Sequence, residues 1–340
     1  MLTQRRSNYN ISMPFSYFRQ RAPQLGLGLA ALGRPGYINL GHDGDLGADK
    51  SMIALRENAW EVLDAAWAGG IRYFDAARSY GQAETFLAGW LAGRRIPPDG
   101  AMVASKWGYT YTAGWQVVAE QHEVKEHSLP TLQRQIKESR QLLGEHLALY
   151  QIHSAIQASG VLENKAVLDE LTRLKAGGLA IGLSVSGPGQ ATTVEQGLQV
   201  ERDGQCLFDA VQATWNLLEP SAAGALAAAH EAGLLVIIKE ALANGRLTAR
   251  NQAPDFAAQR TALDALCEEL DCGPDALALA AALAQPWAGV VLSGAATVAH
   301  LQSNLKAVDL ELDQEYLDRL SQWAEAPDAY WQRRSQLDWN

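Results

Sequence analysis

A single (β/α)8 barrel, α/β in class, is the fold the sequence predicts. Three observations carry that prediction. Eight short apolar runs of strand length recur along the 340 residues, amphipathic helix-like stretches separate them, and no linker or low-complexity segment interrupts the alternation. With 48% apolar and 19% charged residues the chain has the composition of a globular protein able to bury a large core. One barrel domain is expected over 1–340, carrying an N-terminal extension over about 1–22 and a C-terminal tail over about 325–340.

In chain order, the first run is Leu25–Leu29. Its "GLGLAALG" contains Gly26 and Gly28, but no helix pattern follows at once, which argues against a doubly wound dinucleotide fold. Residues 34–50, "RPGYINLGHDGDLGADK", read as a long loop that would wall a substrate pocket; their acidic residues lack the full spacing of a calcium loop. Three segments share one grammar: "AAWAGGIRYFD" (65–75), "RLKAGGLAIGLS" (173–184) and "AHEAGLLVIIKE" (229–240). Each closes a helix-like stretch with glycine, which accepts the left-handed conformation past a helix end, and then opens an apolar run. The remaining runs are Ala101–Ser105, Leu147–Ile152, Phe208–Gln212 and Val290–Leu292. All are continuous rather than alternating, as parallel strands covered on both faces should be. Between them, "SLPTLQRQIKESRQLLG" (128–144) predicts a helix with Ser128 as N-cap, Pro130 in the first turn and Gly144 as the stop.

Charge excludes some functions. Twenty-eight Lys and Arg against 38 Asp and Glu give a net charge of -10, which opposes a broad basic face for nucleic acid or an anionic membrane. The first twenty residues hold no apolar core of signal-peptide length, and the most apolar later stretch, 276–284, is too short to span a bilayer. A soluble cytoplasmic protein is expected, with no nucleic-acid or membrane partner; its oligomeric state is not legible. Cys206, Cys267 and Cys272 form neither a CxxC nor a Cys/His pattern, so neither a disulfide framework nor a metal site is expected.

Barrel chemistry sits where the strands end. Asp75 ends the second run in "FDAARSYG", Lys106 follows the third in "VASKWG", and His153 ends the fourth in "LYQIHS". Neighbouring strands lie about 4.8 Å apart, so polar side chains at consecutive strand ends can converge. Tyr80, in the loop after Asp75, can fold over the same mouth. Each residue alone has an ordinary structural explanation: a helix cap, a surface ion pair, a packed imidazole or a packed phenol. Four at one barrel face are harder to dismiss.

In order and spacing these motifs resemble the aldo-keto reductase superfamily, over a stretch from about Leu25 to Asn304. The resemblance implies that Asp75, Tyr80, Lys106 and His153 are a catalytic tetrad in an NAD(P)-dependent oxidoreductase. Such an enzyme reduces aldehydes or ketones, or oxidises the corresponding alcohols or sugars, by direct hydride transfer to or from a small-molecule carbonyl or alcohol. A carbonyl accepting hydride develops negative charge on oxygen and needs a proton donor there. A free phenol has a pKa near 10, and lowering it by two to three units takes roughly 3 to 4 kcal/mol. A lysine cation about 4 Å away at an effective dielectric near 20 supplies roughly 4 kcal/mol. On this reading Lys106 acidifies Tyr80, Asp75 aims Lys106, and His153 bonds the substrate oxygen. Tyr80 is then the acid in reduction and the base in oxidation.

The same resemblance puts Ser184 and Gln212 on a nicotinamide carboxamide and Trp215 against the ring. "LANGRL" (242–247), with Leu242 and Gly245, would cover the pyrophosphate. Gly294, Ala295, Thr297, His300 and Asn304, in "LSGAATVAHLQSNL" (292–305), would face the adenosine phosphate, where a helix opening near Thr297 offers unpaired N–H groups. Val185 stands where the family usually has Asn, and Ala296 where many relatives carry Arg or Lys. The implied cofactor is accordingly NADP(H), with NAD(H) as the alternative. Lys239 would contact a phosphate or pair with Glu240. Trp107, Tyr109 and Tyr111 are the expected substrate-pocket residues, with Trp331 from the aromatic and basic tail "DAYWQRRSQLDWN" (328–340). Two other classes compete: a Schiff-base barrel lyase using Lys106 or Lys239 as nucleophile, and a nicotinamide-binding accessory or sensor protein with slow turnover.

Overall fold

The structure, a computed structural model, describes residues 24–340. The expected extension over about 1–22 lies outside the described residues. Eight parallel strands close into a barrel: β1 (Gln24–Gly28), β2 (Tyr73–Asp75), β3 (Met102–Trp107), β4 (Leu147–Ala155), β5 (Ala180–Val185), β6 (Ala210–Thr214), β7 (Leu235–Lys239) and β8 (Val290–Ser293). Consecutive strands are neighbours all the way round, and β1 pairs with β8 to close the ring.

The helices that cover the barrel are α1 (Met52–Ala68), α2 (Ala83–Gly93), α3 (Leu129–Leu143), α4 (Lys165–Ala176), α5 (Gln190–Leu198) and α6 (Ala223–Glu231) between the first seven strands. Two more, α7 (Ala257–Glu269) and α8 (Pro274–Leu283), precede β8; α9 (Val298–Leu305), α10 (Gln314–Ser321) and α11 (Pro327–Ser335) follow it. The helix-to-strand joints form as their glycines predict: Gly70, Gly178 and Gly233 adopt φ of 87°, 90° and 85° after α1, α4 and α6. Helix α3 begins where expected, with Ser128 Oγ accepting from Thr131 N at 3.3 Å, and ends before Gly144 at φ 55°.

Three local features differ from the sequence expectation. The stretch 34–50 is not wholly loop, because His42–Leu46 makes a short helix within it. Strands β3 and β4 run further than their apolar runs, so Lys106 and His153 lie inside strands rather than beyond or at the ends. A polar side chain aimed into the barrel mouth does not interrupt backbone pairing: Lys106 is in register with Gln151. The loop after β3 also folds back as an antiparallel hairpin, Tyr109–Tyr111 against Glu123–Lys125. No helix among the described residues is long and apolar enough to cross a membrane.

Candidate active site

Strand periodicity builds the site. Side chains alternate faces, so every second residue points into the barrel. On β3 these are Met102, Ala104 and Lys106; on β4, Leu149, Gln151 and His153; on β6, Ala210, Gln212 and Thr214; on β7, Leu235, Ile237 and Lys239. The lower members form an apolar plug that also contains Tyr73, Val290 and Leu292. The upper members are polar and form the floor of a cleft at the C-terminal strand ends.

Asp75, Tyr80, Lys106 and His153 meet on that floor. Lys106 and Asp75 are buried and form an ion pair between Nζ and Oδ1. Lys106 Nζ also donates to Ala76 O at 3.1 Å and to Tyr80 Oη at 3.4 Å. The other carboxylate oxygen of Asp75 accepts from Gln212 Nε2 at 2.9 Å and Gln151 Nε2 at 3.3 Å, so the buried charge is satisfied from three strands. Tyr80 Oη lies 3.5 Å from His153 Nε2, while Ser79 Oγ lies 3.4 Å from His153 Nδ1. The phenol hydroxyl is therefore held between an ammonium and an imidazole.

Electrostatics at Tyr80 include a contribution that the sequence reading did not weigh. Burial pushes the Tyr80 hydroxyl well above its usual pKa, the Asp75 carboxylate pushes it further, and Arg34 is the cation that pulls it back. A unit charge about 4 Å away is worth roughly 4 kcal/mol at an effective dielectric near 20. Lys106 has that strength, but Asp75 is bonded to it and acts on the phenol with opposite sign. Desolvation is the largest influence on the hydroxyl and favours the protonated phenol. Burial, with the Lys106 and Lys239 cations, holds His153 well below its usual pKa as a neutral imidazole.

Above this floor lies a cleft of about 580 Å³, within the usual range for small-molecule sites. Of the sequence-predicted residues, Asp75, Tyr80, His153, Gln212, Tyr109 and Lys239 line its catalytic half, and Leu242, Gly245, Gly294, Ala295, His300 and Asn304 its far half. Ser184 is fully buried beneath the cleft, accepting from Ser154 N at 3.4 Å. Thr297 caps α9, its Oγ1 accepting from His300 N at 3.2 Å. Asn304 bonds Ser293 Oγ at 2.8 Å. Lys239 Nζ stands 3.7 Å from Glu240 Oε1.

Four aromatic residues do not line the cleft as expected. Trp107 follows inward Lys106 and so faces outward, fully buried with its ring edge toward His127 at 5.7 Å. Trp215 follows inward Thr214 and packs on Trp287 at 5.9 Å. Trp331 is buried in α11, its Nε1 3.4 Å from Glu219 Oε1. Tyr111 pairs with Glu123 across the hairpin. Period-two alternation was the signal that separates Trp107 from Lys106.

The stretch 34–50 walls the cleft as expected, through Arg34 and Tyr37 among others, and the tail adds Arg334 and Trp339, none of which the sequence reading singled out. Buried Arg34 donates from Nη1 to Ser79 O at 3.1 Å, pairs with Glu123, and lies 4.7, 5.0 and 5.3 Å from the rings of Trp339, Tyr37 and Tyr80. The tail thus borders the cleft through Arg334 and Trp339 instead of Trp331. Backbone bonds between Asn340 and Tyr37, at 3.0 and 3.1 Å, hold it there. At the far end Arg250 pairs with Asp45 and stands 3.1 Å from His300 Nε2.

The family model described as the aldo/keto reductase family matches residues 46–325. An uncharacterized oxidoreductase, YrpG, of Bacillus subtilis (strain 168) is 26% identical over 87% of this chain and 94% of its own length. The aldo-keto reductase ausK of Emericella nidulans is 24% identical over 78% of this chain and 72% of its own. Among solved structures, the aldo-keto reductase AKR11C1 from Bacillus halodurans, in its holo form, superposes with a TM-score of 0.67 at 21% identity. That alignment covers 90% of this chain and 93% of the other.

Proposed function

Since this chain belongs to the aldo/keto reductase family, and is thereby an oxidoreductase, we propose that it is an NAD(P)H-dependent enzyme reducing an aldehyde or ketone. Tyr80 is the proton donor. The observation that carries this reading is the position of Tyr80 Oη, 3.4 Å from Lys106 Nζ and 3.5 Å from His153 Nε2 at the floor of the cleft.

The residues present fit a dinucleotide. Gly294 has open space on its Cβ side, and α9 starts just beyond it, so backbone N–H groups there are available to an anion. Asn244 Oδ1 is a buried acceptor without a hydrogen-bond partner among the described residues, beside the cleft in the loop after β7. Gln212 would orient the carboxamide, Leu242 and Gly245 would cover the pyrophosphate, and Gly294, Ala295, His300 and Asn304 would hold the adenosine end. The bound nicotinamide supplies the hydride.

The protein's own residues handle the proton. Neutral His153 offers a hydrogen bond to the substrate oxygen and fixes the carbonyl beside Tyr80 Oη. Tyr80, kept protonated by burial, gives its proton to that oxygen as negative charge develops. Lys106 then stabilises the resulting phenolate at contact distance, and Asp75, held by Gln151 and Gln212, keeps the ammonium aimed. The Schiff-base reading is weaker for Lys106, whose ammonium is already bound by Asp75, Ala76 O and Tyr80.

Titration of the protein with NADPH and NADH, followed by tryptophan fluorescence, tests the assignment together with turnover of an aldehyde and ketone panel. Saturable quenching by at least one dinucleotide, with oxidation of it by some carbonyl in the panel, is the expected result. Absence of quenching by both contradicts the assignment.

A further inference from the structure

Around the catalytic floor three carboxylates are shared among four cations, one of them, Lys106, buried beneath the cleft wall. Asp75, Glu123 and Glu240 stand against Arg34, Lys239 and Arg334 on the wall and Lys106 beneath it: Lys106 pairs with Asp75, Arg34 with Glu123, and both Arg334 and Lys239 with Glu240. Lys239 shares the Glu240 carboxylate with Arg334, and its Nζ lies 5.9 Å from the centre of the Trp331 ring. Its Nζ donates to Thr214 Oγ1 at 2.8 Å, but the Glu240 carboxylate 3.7 Å away is already held by Arg334, whose Nε lies 2.7 Å from Oε2. An ammonium has three N–H donors, and this one makes a single hydrogen bond of ordinary length. The side chain is only 15% exposed, and the exposed part faces the cleft.

Burying a cation beside an already occupied carboxylate is costly, and an incoming anion offsets that cost. We propose that Lys239 forms an anion subsite in the reaction cleft, and that the substrate is an aldehyde or ketone bearing a carboxylate. This rests on the reductase reading above. Both a substrate carboxylate and a dinucleotide phosphate have the required chemistry. The position of Lys239 favours the substrate. It ends β7 on the inward face, in register with Thr214, which lies two residues above the Gln212 that bonds Asp75. The ammonium therefore stands over the catalytic floor, ahead of the 242–247 loop expected to cover phosphates.

Calorimetry with 4-carboxybenzaldehyde and its methyl ester tests this on wild-type protein, Lys239→Met and Lys239→Arg, with NADP+ present to prevent turnover. The carboxylate should bind roughly ten- to a hundredfold more tightly than the ester in the wild type. The ratio should fall to near one in Lys239→Met and largely return in Lys239→Arg. Burial lowers the Lys239 pKa to about 8, so the preference should fade as pH rises through that value. A wild-type ratio near one, no measurable binding of the carboxylate, or an unchanged ratio in Lys239→Met overturns the subsite. Weaker NADP+ binding by Lys239→Met with the ratio intact assigns the lysine to a phosphate and also overturns it. Turnover of the ester with NADPH judges the reductase reading separately: turnover without carboxylate preference sinks only the subsite, and a Lys239-dependent preference without turnover sinks only the reductase.

Discussion

Which charges act on the Tyr80 hydroxyl is the question at the level of single residues. The Lys106 ammonium touches it, but Asp75 is bonded to that ammonium, and burial raises the phenol pKa well above 10.0. An acid with a raised pKa is protonated, and so competent to donate, at every pH below that value. The rate of carbonyl reduction should therefore show no loss from Tyr80 ionisation until pH exceeds 10, and the reverse oxidation should climb with pH over the same range. A pH-rate profile measured in both directions checks this; an oxidation plateau at about pH 7 to 8 would mean that Lys106 wins after all. Three of the four residues were legible because Asp75, Lys106 and His153 each break an apolar run. The balance of charge around Tyr80 was not, since Arg34 reaches it from a loop 46 residues earlier and Glu123 from a hairpin whose strands are joined by a long connection marked only by Gly114.

Single elements were readable where backbone chemistry sets them. The glycine joints after α1, α4 and α6 and the Ser128 cap of α3 depend on neighbours within four residues, so sequence suffices. Contacts between elements are different. Buried Glu84, in α2, accepts from Ser105 Oγ of β3 at 2.5 Å, from Ser139 Oγ of α3 at 2.6 Å, and from Arg78 Nη1 at 2.5 Å. One carboxylate thus ties two helices to the strand that carries Lys106. Glu84→Ala leaves two buried hydroxyls without their acceptor and Arg78 with Glu138 alone, at 3.0 Å. Because Arg78 keeps some solvent, the loss should be about 2 to 3 kcal/mol rather than the larger cost of a fully stranded charge. Urea denaturation reads it directly; a change below about 0.5 kcal/mol, the size of an ordinary surface substitution, would show that the network contributes little.

For the molecule as a whole, the barrel turns local pattern into a shared site. Eight apolar runs in sequence order become eight neighbouring strands, and alternation then sorts Lys106 inward and Trp107 outward. The first step was legible; the second was overlooked for Trp107 and Trp215, where aromatic character outweighed parity in the reading. The tail was recognised as aromatic and basic, yet its docking on the loop after β1 pairs Asn340 with Tyr37 across 303 residues, which no local signal encodes. The central claim is that this assembly makes Tyr80 the proton donor while cofactor binding resides elsewhere in the cleft. Hydride transfer under single-turnover conditions, compared between wild type and Tyr80→Phe alongside the dinucleotide Kd, tests it most directly. The rate should drop about a thousandfold while the Kd stays within about twofold of wild type, since only the hydroxyl is removed. Near-normal hydride transfer in Tyr80→Phe, or loss of rate and dinucleotide affinity together, would contradict the account.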